Sequence, residues 1–224
     1  MMRIRASILV VAGAVASGSF AAPASRQAAL VEIVTGSPAG VRDMTYVETG
    51  KTITLGEHDS ITLSYLKSCV QETITGGIVK VGTDQSEVQS GTLTRTTVAC
   101  DPGKTSPDND ATPGGVIVRG APSPGAAPSV TLYGSSPMVE LNGPTTLVIE
   151  RIGQAGERYS VHVTHEHLLN GRFYDFAKAG RNLAAGGVYS MKAGADEIVV
   201  KIDPRAKPGG QPILSRLLRF GLPG

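Results

Sequence analysis

The chain has 224 residues, of which 41% are hydrophobic and 18% charged, and a formal net charge of +2. That length holds one large domain or two small ones, each able to bury a core. The near-balance of charge argues against nucleic acid as a partner, since phosphate neutralisation asks for a clear basic excess; the 4% aromatic content, without tryptophan, weighs against stacked-ring recognition of sugars or single strands.

The first element is a secretory leader. Arg3 and Arg5 precede an apolar run from Ile8 to Val15, and small residues follow up to Ser19, Phe20 and Ala21. The run is interrupted by Gly13 and falls well short of the roughly 20 residues a spanning helix needs, so cleavage after Ala21 is expected, with Ala24 as the second choice. No cysteine follows the run to take a lipid anchor. Residues 1–21 are thus read as a signal peptide, the mature chain has no transmembrane segment, and its localisation is periplasmic or secreted. Removing Arg3 and Arg5 from 21 basic residues leaves 19 against 19 acidic ones, a net charge of zero. Export to an oxidising compartment favours a disulfide between Cys69 and Cys100 over two buried thiols.

Residues 22–100 read as an N-terminal β domain of short strands. Ile53 and Leu55 alternate with Thr52 and Thr54, and Ile61, Leu63 and Tyr65 alternate with Thr62 and Ser64. Gly76 and Gly77 punctuate the chain ahead of a strand containing Ile78, Val79 and Val81, and a threonine-rich stretch follows at Thr92, Thr94, Thr96 and Thr97. Residues 101–128 are rich in proline and glycine and form a linker or long surface loop, with Val116 to Val118 as an isolated edge strand at most. Residues 129–224 resume the β pattern at Val130–Tyr133, Met138–Leu141, Thr145–Ile152, Arg158–Thr164 and Ile198–Ile202. Segments about ten residues apart with turn signals between them describe a β-sandwich of the immunoglobulin-like kind. Phe173 to Leu183 reads as a short helix or an irregular loop, and Ile213 to Phe220 as a terminal strand in preference to two helical turns. The fold class is all-β, in two small domains.

The segments Gly50-Lys51-Thr52-Ile53-Thr54-Leu55-Gly56, Ile61-Thr62-Leu63, Gly76-Gly77-Ile78-Val79-Lys80-Val81-Gly82 and Ser86-Glu87-Val88-Gln89-Ser90-Gly91 together resemble the FecR-type periplasmic β domain. The resemblance spans roughly residues 47–100. It implies an envelope signalling or scaffolding context and carries over no functional residue. The family's signal transducers have a membrane segment before this domain, and the cysteine pair is not part of the family pattern.

Candidate chemistry is sparse. His165 and His167, with His162 upstream and Glu166 between them, are the densest group of potential metal ligands; on a strand they share a face, although a third ligand, His58 or Glu57, has to come from elsewhere in the fold. Gly50-Lys51-Thr52 and Gly103-Lys104-Thr105 imitate the end of a phosphate-binding loop but have Thr45 and Val98 where its first glycine belongs. Ser64 and Lys67 have the spacing of a serine-lysine pair that works across one helical turn, whereas the local pattern is a strand. Asp101, Asp108 and Asp110 do not meet a calcium-loop pattern. After Asp203 the chain carries no acid, and Arg205, Lys207, Arg216 and Arg219 gather beside leucines; they are candidate partner-binding residues, set against a final strand that packs its leucines inward. No cofactor is called for. The sequence reads as a non-catalytic binding or scaffolding accessory with an envelope protein partner, envelope signalling being one such setting; the alternatives are a periplasmic hydrolase or metal-dependent enzyme built around His165 and His167, and a ligand sensor using the groove between the two domains.

Overall fold

The computed structural model describes residues 27–101, 128, 130–154, 157–210 and 212–220, so the expected leader, most of the expected linker with Val116 to Val118, Asp108 and Asp110, and Gly103-Lys104-Thr105 lie outside the described residues. The described chain is all-β, its only helical turns being single 3-10 turns at His165–His167 and Leu214–Arg216.

Strands β1 (Gln27–Thr35), β2 (Thr45–Glu48), β3 (Thr52–Tyr65), β4 (Val70–Val81), β5 (Ser86–Gln89) and β6 (Thr92–Thr97) form one sheet in the order β2-β1-β3-β4-β5, with β6 also pairing with β4. The two alternating runs around Ile53 and Ile61 are halves of a single strand, β3, whose ladder with β4 breaks between Leu55 and Ser60. The carboxylate of Asp59 pins that break by accepting the N–H groups of Gly56 at 2.9 Å and Ser37 at 3.2 Å. Opposite, Gly76 and Gly77 adopt φ of 67° and 83°. A Cβ on Gly77 would lie 2.3 Å from the carbonyl oxygen of Gln89, so only glycine allows this approach. The glycine pair is therefore a bend inside β4 and not punctuation before a new strand. At the bend β4 exchanges partners, from β6 along Val70–Thr75 to β5 along Ile78–Val81. The bent halves share one core, in which Ile53, Leu55, Ile61, Leu63, Ile74 and Val79 are buried together.

The second half supplies β7 (Val130–Gly134), β8 (Met138–Glu140), β9 (Thr145–Arg151), β10 (Arg158–Val163), β11 (Leu168–Leu169), β12 (Phe173–Asp175), β13 (Val188–Ala193), β14 (Asp196–Lys207) and β15 (Leu217–Arg219). They make a five-stranded sheet, β10-β9-β13-β14-β7, and a four-stranded sheet, β11-β12-β8-β15. Leu147, Ile149, Met191 and Val200 from the first meet Val139, Tyr174 and Leu218 from the second in one core, so this half is a two-layer sandwich. Lettering β8 to β14 as B, C, C′, D, E, F and G gives C-F-G in one sheet and B-E-D in the other, the immunoglobulin order. Tyr189, second residue of β13, also sits where that fold places its tyrosine corner: its phenol oxygen accepts the Ala184 N–H at 2.9 Å and donates to Glu157 Oε1 at 3.2 Å. The departure is β15, which runs parallel to β8 in the place of an antiparallel first strand.

Phe173 to Leu183 is neither helix nor plain loop, because it begins with β12. Phe173, Tyr174 and Asp175 are all buried, and a strand covered on both faces shows no alternation to read. The terminal strand exists but is confined to Leu217–Arg219, after the 3-10 turn.

Sheet membership divides the chain on either side of the 102–127 segment, yet a third core draws on both halves. Leu30, Met44 and Leu66 of the N-terminal half pack with Met138, Phe173, Ile213, Leu214 and Leu217 of the C-terminal half. Tyr46 in β2 donates to Glu140 in β8 at 2.9 Å, and Arg219 Nη2 donates to Gln27 at 3.2 Å. No helix among the described residues is long and apolar enough to cross a membrane.

Candidate functional site

Cys69 and Cys100 form a disulfide with a Cα–Cα distance of 5.7 Å. It ties the turn after β3 to the segment after β6, and the N–H of Val98 donates to the Cys69 carbonyl at 2.9 Å beside it. Replacing both cysteines by alanine is expected to cost about 3 to 4 kcal/mol, as a loop of this length closed in the unfolded chain predicts; urea unfolding of the double variant against the oxidised parent measures it.

The histidine pair is not on a strand. β10 ends at Val163, and His165 to His167 form an exposed 3-10 turn in which residues two apart point in different directions. His167 Nδ1 is occupied locally, accepting the Thr164 N–H at 3.2 Å, while His162 Nδ1 lies 3.4 Å from the Thr146 hydroxyl. Among the described residues no three histidine, cysteine, aspartate or glutamate side chains converge where a metal ion fits.

The basic C-terminal group divides in two. Arg205 and Lys207 are exposed at the end of β14, with Arg205 beside Asp203 at 3.5 Å. Arg216 and Arg219 are buried and so offer no surface to a partner. Arg216 pairs with Asp175 at 2.8 Å and also donates to the carbonyls of Ser136 and Gly210. Arg219 pairs with Glu140 at 2.8 Å, and Arg172 reaches the other oxygen of the same carboxylate. Once a charge is buried it has to be paired, so these arginines are internal ties. Ser64 faces Glu32 in a strand and Lys67 lies exposed in the turn beyond, far from the helical arrangement their spacing imitates. Lys51 Nζ donates to the Gly40 carbonyl at 2.8 Å and no helix follows it.

What the structure brings together, from residues that, Arg216 apart, the sequence did not single out, is a cleft where the two halves meet. It encloses about 580 Å³ between β1 and the strands and loops around β11 and β12. Met44, Met138, Leu169 and Ile213 give it apolar walls, and Glu32, Asp43 and Asp175 place three carboxylates in its lining against the two cations Lys178 and Arg216. Glu32 is nearly inaccessible at 3% exposure. Its Oε1 accepts the Ser64 hydroxyl at 2.6 Å and the Leu214 N–H at 3.2 Å, and its Oε2 accepts the Gln71 amide at 3.0 Å. Burial pushes its carboxyl above the ordinary carboxylate range, against the lowering effect of these hydrogen bonds and of Arg216.

This raised carboxyl has a consequence for stability. The folded state favours its protonated form, so its contribution is complete below the unfolded value near 4.5 and is lost as pH rises through the folded one. Glu32→Gln, which keeps an acceptor for Ser64 and Leu214, is expected to melt above the parent at pH 8, with the gap closing by pH 4. Paired thermal melts at the two pH values measure this; a gap that is constant or reversed contradicts the assignment.

Comparison with family models, with curated proteins and with solved structures found no significant match to this chain.

Proposed function

We propose that the chain is a non-catalytic binding accessory of the bacterial envelope whose recognition site is the cleft between the N-terminal sheet and the sandwich. The observation that carries this reading is the cleft itself. It is of ligand-binding size, its walls are apolar with a few polar groups placed among them, and it sits at a junction of two structural units, where binding sites concentrate. The leader-like first residues and the disulfide support an oxidising, exported setting, and the resemblance of residues 47–100 to FecR-type domains supports a role in envelope signalling. The enzyme alternative is weaker, because His165 and His167 diverge on an exposed turn and no third ligand joins them among the described residues.

The test is site-specific photocrosslinking in the native periplasm. A benzophenone side chain in place of Lys178, on the cleft rim, is expected to yield a discrete adduct that the same group at Arg158, on the outer edge of β10, does not. Equal labelling at both positions, or none at position 178, counts against the reading.

A further inference from the structure

We infer that the cleft takes an organic cation, an alkylammonium or guanidinium head carried on an apolar stem. This rests on the reading of the cleft as the recognition site and names the chemistry it selects. The walls fit a stem: Met44, Met138 and Leu169 line it, and thioether side chains adapt to the shape of what they cover.

The head group follows from how the charges are already spent. Asp175 and Arg216 neutralise each other at 2.8 Å, and the remaining donors of Arg216 are taken by the carbonyls of Ser136 and Gly210. Glu32 is held by neutral donors only: a hydroxyl, an amide and a backbone N–H. Asp43 receives the Val34 N–H. Neither Glu32 nor Asp43 has a lysine or arginine at ion-pair distance among the described residues. Lys178 is exposed on the rim. An incoming ammonium group therefore finds two carboxyl groups with no ion-pair partner, and its charge favours the ionised form of Glu32 that burial alone disfavours. An incoming carboxylate meets the same two groups and finds only Lys178, exposed on the rim, to turn to, since Arg216 is already spent on Asp175.

The methionines provide the readout. Met44 and Met138 line the cleft, whereas Met191 lies in the sandwich core and serves as an internal control. The processed chain, labelled with 13C at the methionine methyls, is titrated with hexylammonium, hexanoate and hexanol. The expected result is that hexylammonium shifts the Met44 and Met138 methyls and leaves Met191 in place, with a Kd at least tenfold below those of hexanoate and hexanol. Glu32→Gln and the exposed Asp43→Asn should each weaken hexylammonium at least fivefold. A blocked alanyl-lysyl-alanine peptide separates the two sources of such a head: binding tighter than hexylammonium assigns it to a lysine of a protein partner, weaker binding to a free amine. Equal or better binding of hexanoate or hexanol overturns the cationic preference and leaves the cleft reading standing. If no probe moves Met44 or Met138, both are overturned.

Discussion

Glu140→Ala is expected to cost about 3 to 5 kcal/mol of folding stability, the range for removing one partner of a buried ion pair. The carboxylate is fully buried in β8 and is shared by three donors: Arg219 at 2.8 Å, Arg172, and the Tyr46 hydroxyl at 2.9 Å. Removing it strands the buried Arg219 guanidinium, which lies 4.6 Å from the centre of the Tyr46 ring, beside a second guanidinium with no anion between them. The loss also uncouples the halves, since Tyr46 belongs to the N-terminal sheet and Arg219 to the last strand of the sandwich. Urea unfolding gives the magnitude. A two-step transition in the variant where the parent shows one would locate the damage at the seam; a cost below about 1 kcal/mol would mean that water or another residue satisfies Arg219.

The sequence made the strands legible wherever one face is wet. Thr52 to Leu55 alternate because solvent covers one side of the sheet there, Ile61 to Tyr65 because the residues between the apolar ones are polar although Ser64 is itself buried against Glu32, and Tyr159, Val161 and Val163 alternate on the edge strand β10. Legibility fails where both faces are covered. β12 is three buried residues, and the break in β3 and the bend opposite it depend on Asp59 binding Gly56 and Ser37 and on the approach of Gly77 to Gln89, contacts that no alternation announces. The candidate site fared worse for a related reason. Glu32, Asp43, Leu169 and Arg216 come from four separate parts of the chain, and nothing in the local pattern around Glu32 marks an acid that will be enclosed by Ser64, Gln71 and Leu214. The basic C-terminal run misled in the opposite direction: Arg216 and Arg219 sit among leucines as surface arginines do on an outward face, but their partners Asp175 and Glu140 are 41 and 79 residues away.

Asp175→Asn and Arg216→Met are each expected to destabilise the protein by about 3 to 5 kcal/mol, because each leaves the other charge buried and alone. Arg216 is the largest fully buried side chain, at 2% exposure, and Asp175 is 6% exposed, so solvent cannot take over either role. The double variant decides between an ion pair and a guanidinium held mainly by carbonyls. Removing both charges eliminates the stranded partner but still orphans the carbonyls of Ser136 and Gly210. The double change should therefore cost clearly less than the sum of the single ones, with a coupling of about 1 to 3 kcal/mol for groups in direct contact. Additive costs would show instead that the carbonyl contacts hold Arg216 and that Asp175 acts through its own bond to the Ala177 N–H at 2.9 Å. A third result, stabilities close to the parent in all three variants, would return Arg216 to the surface role its basic neighbourhood suggests and remove one wall of the cleft from the binding argument.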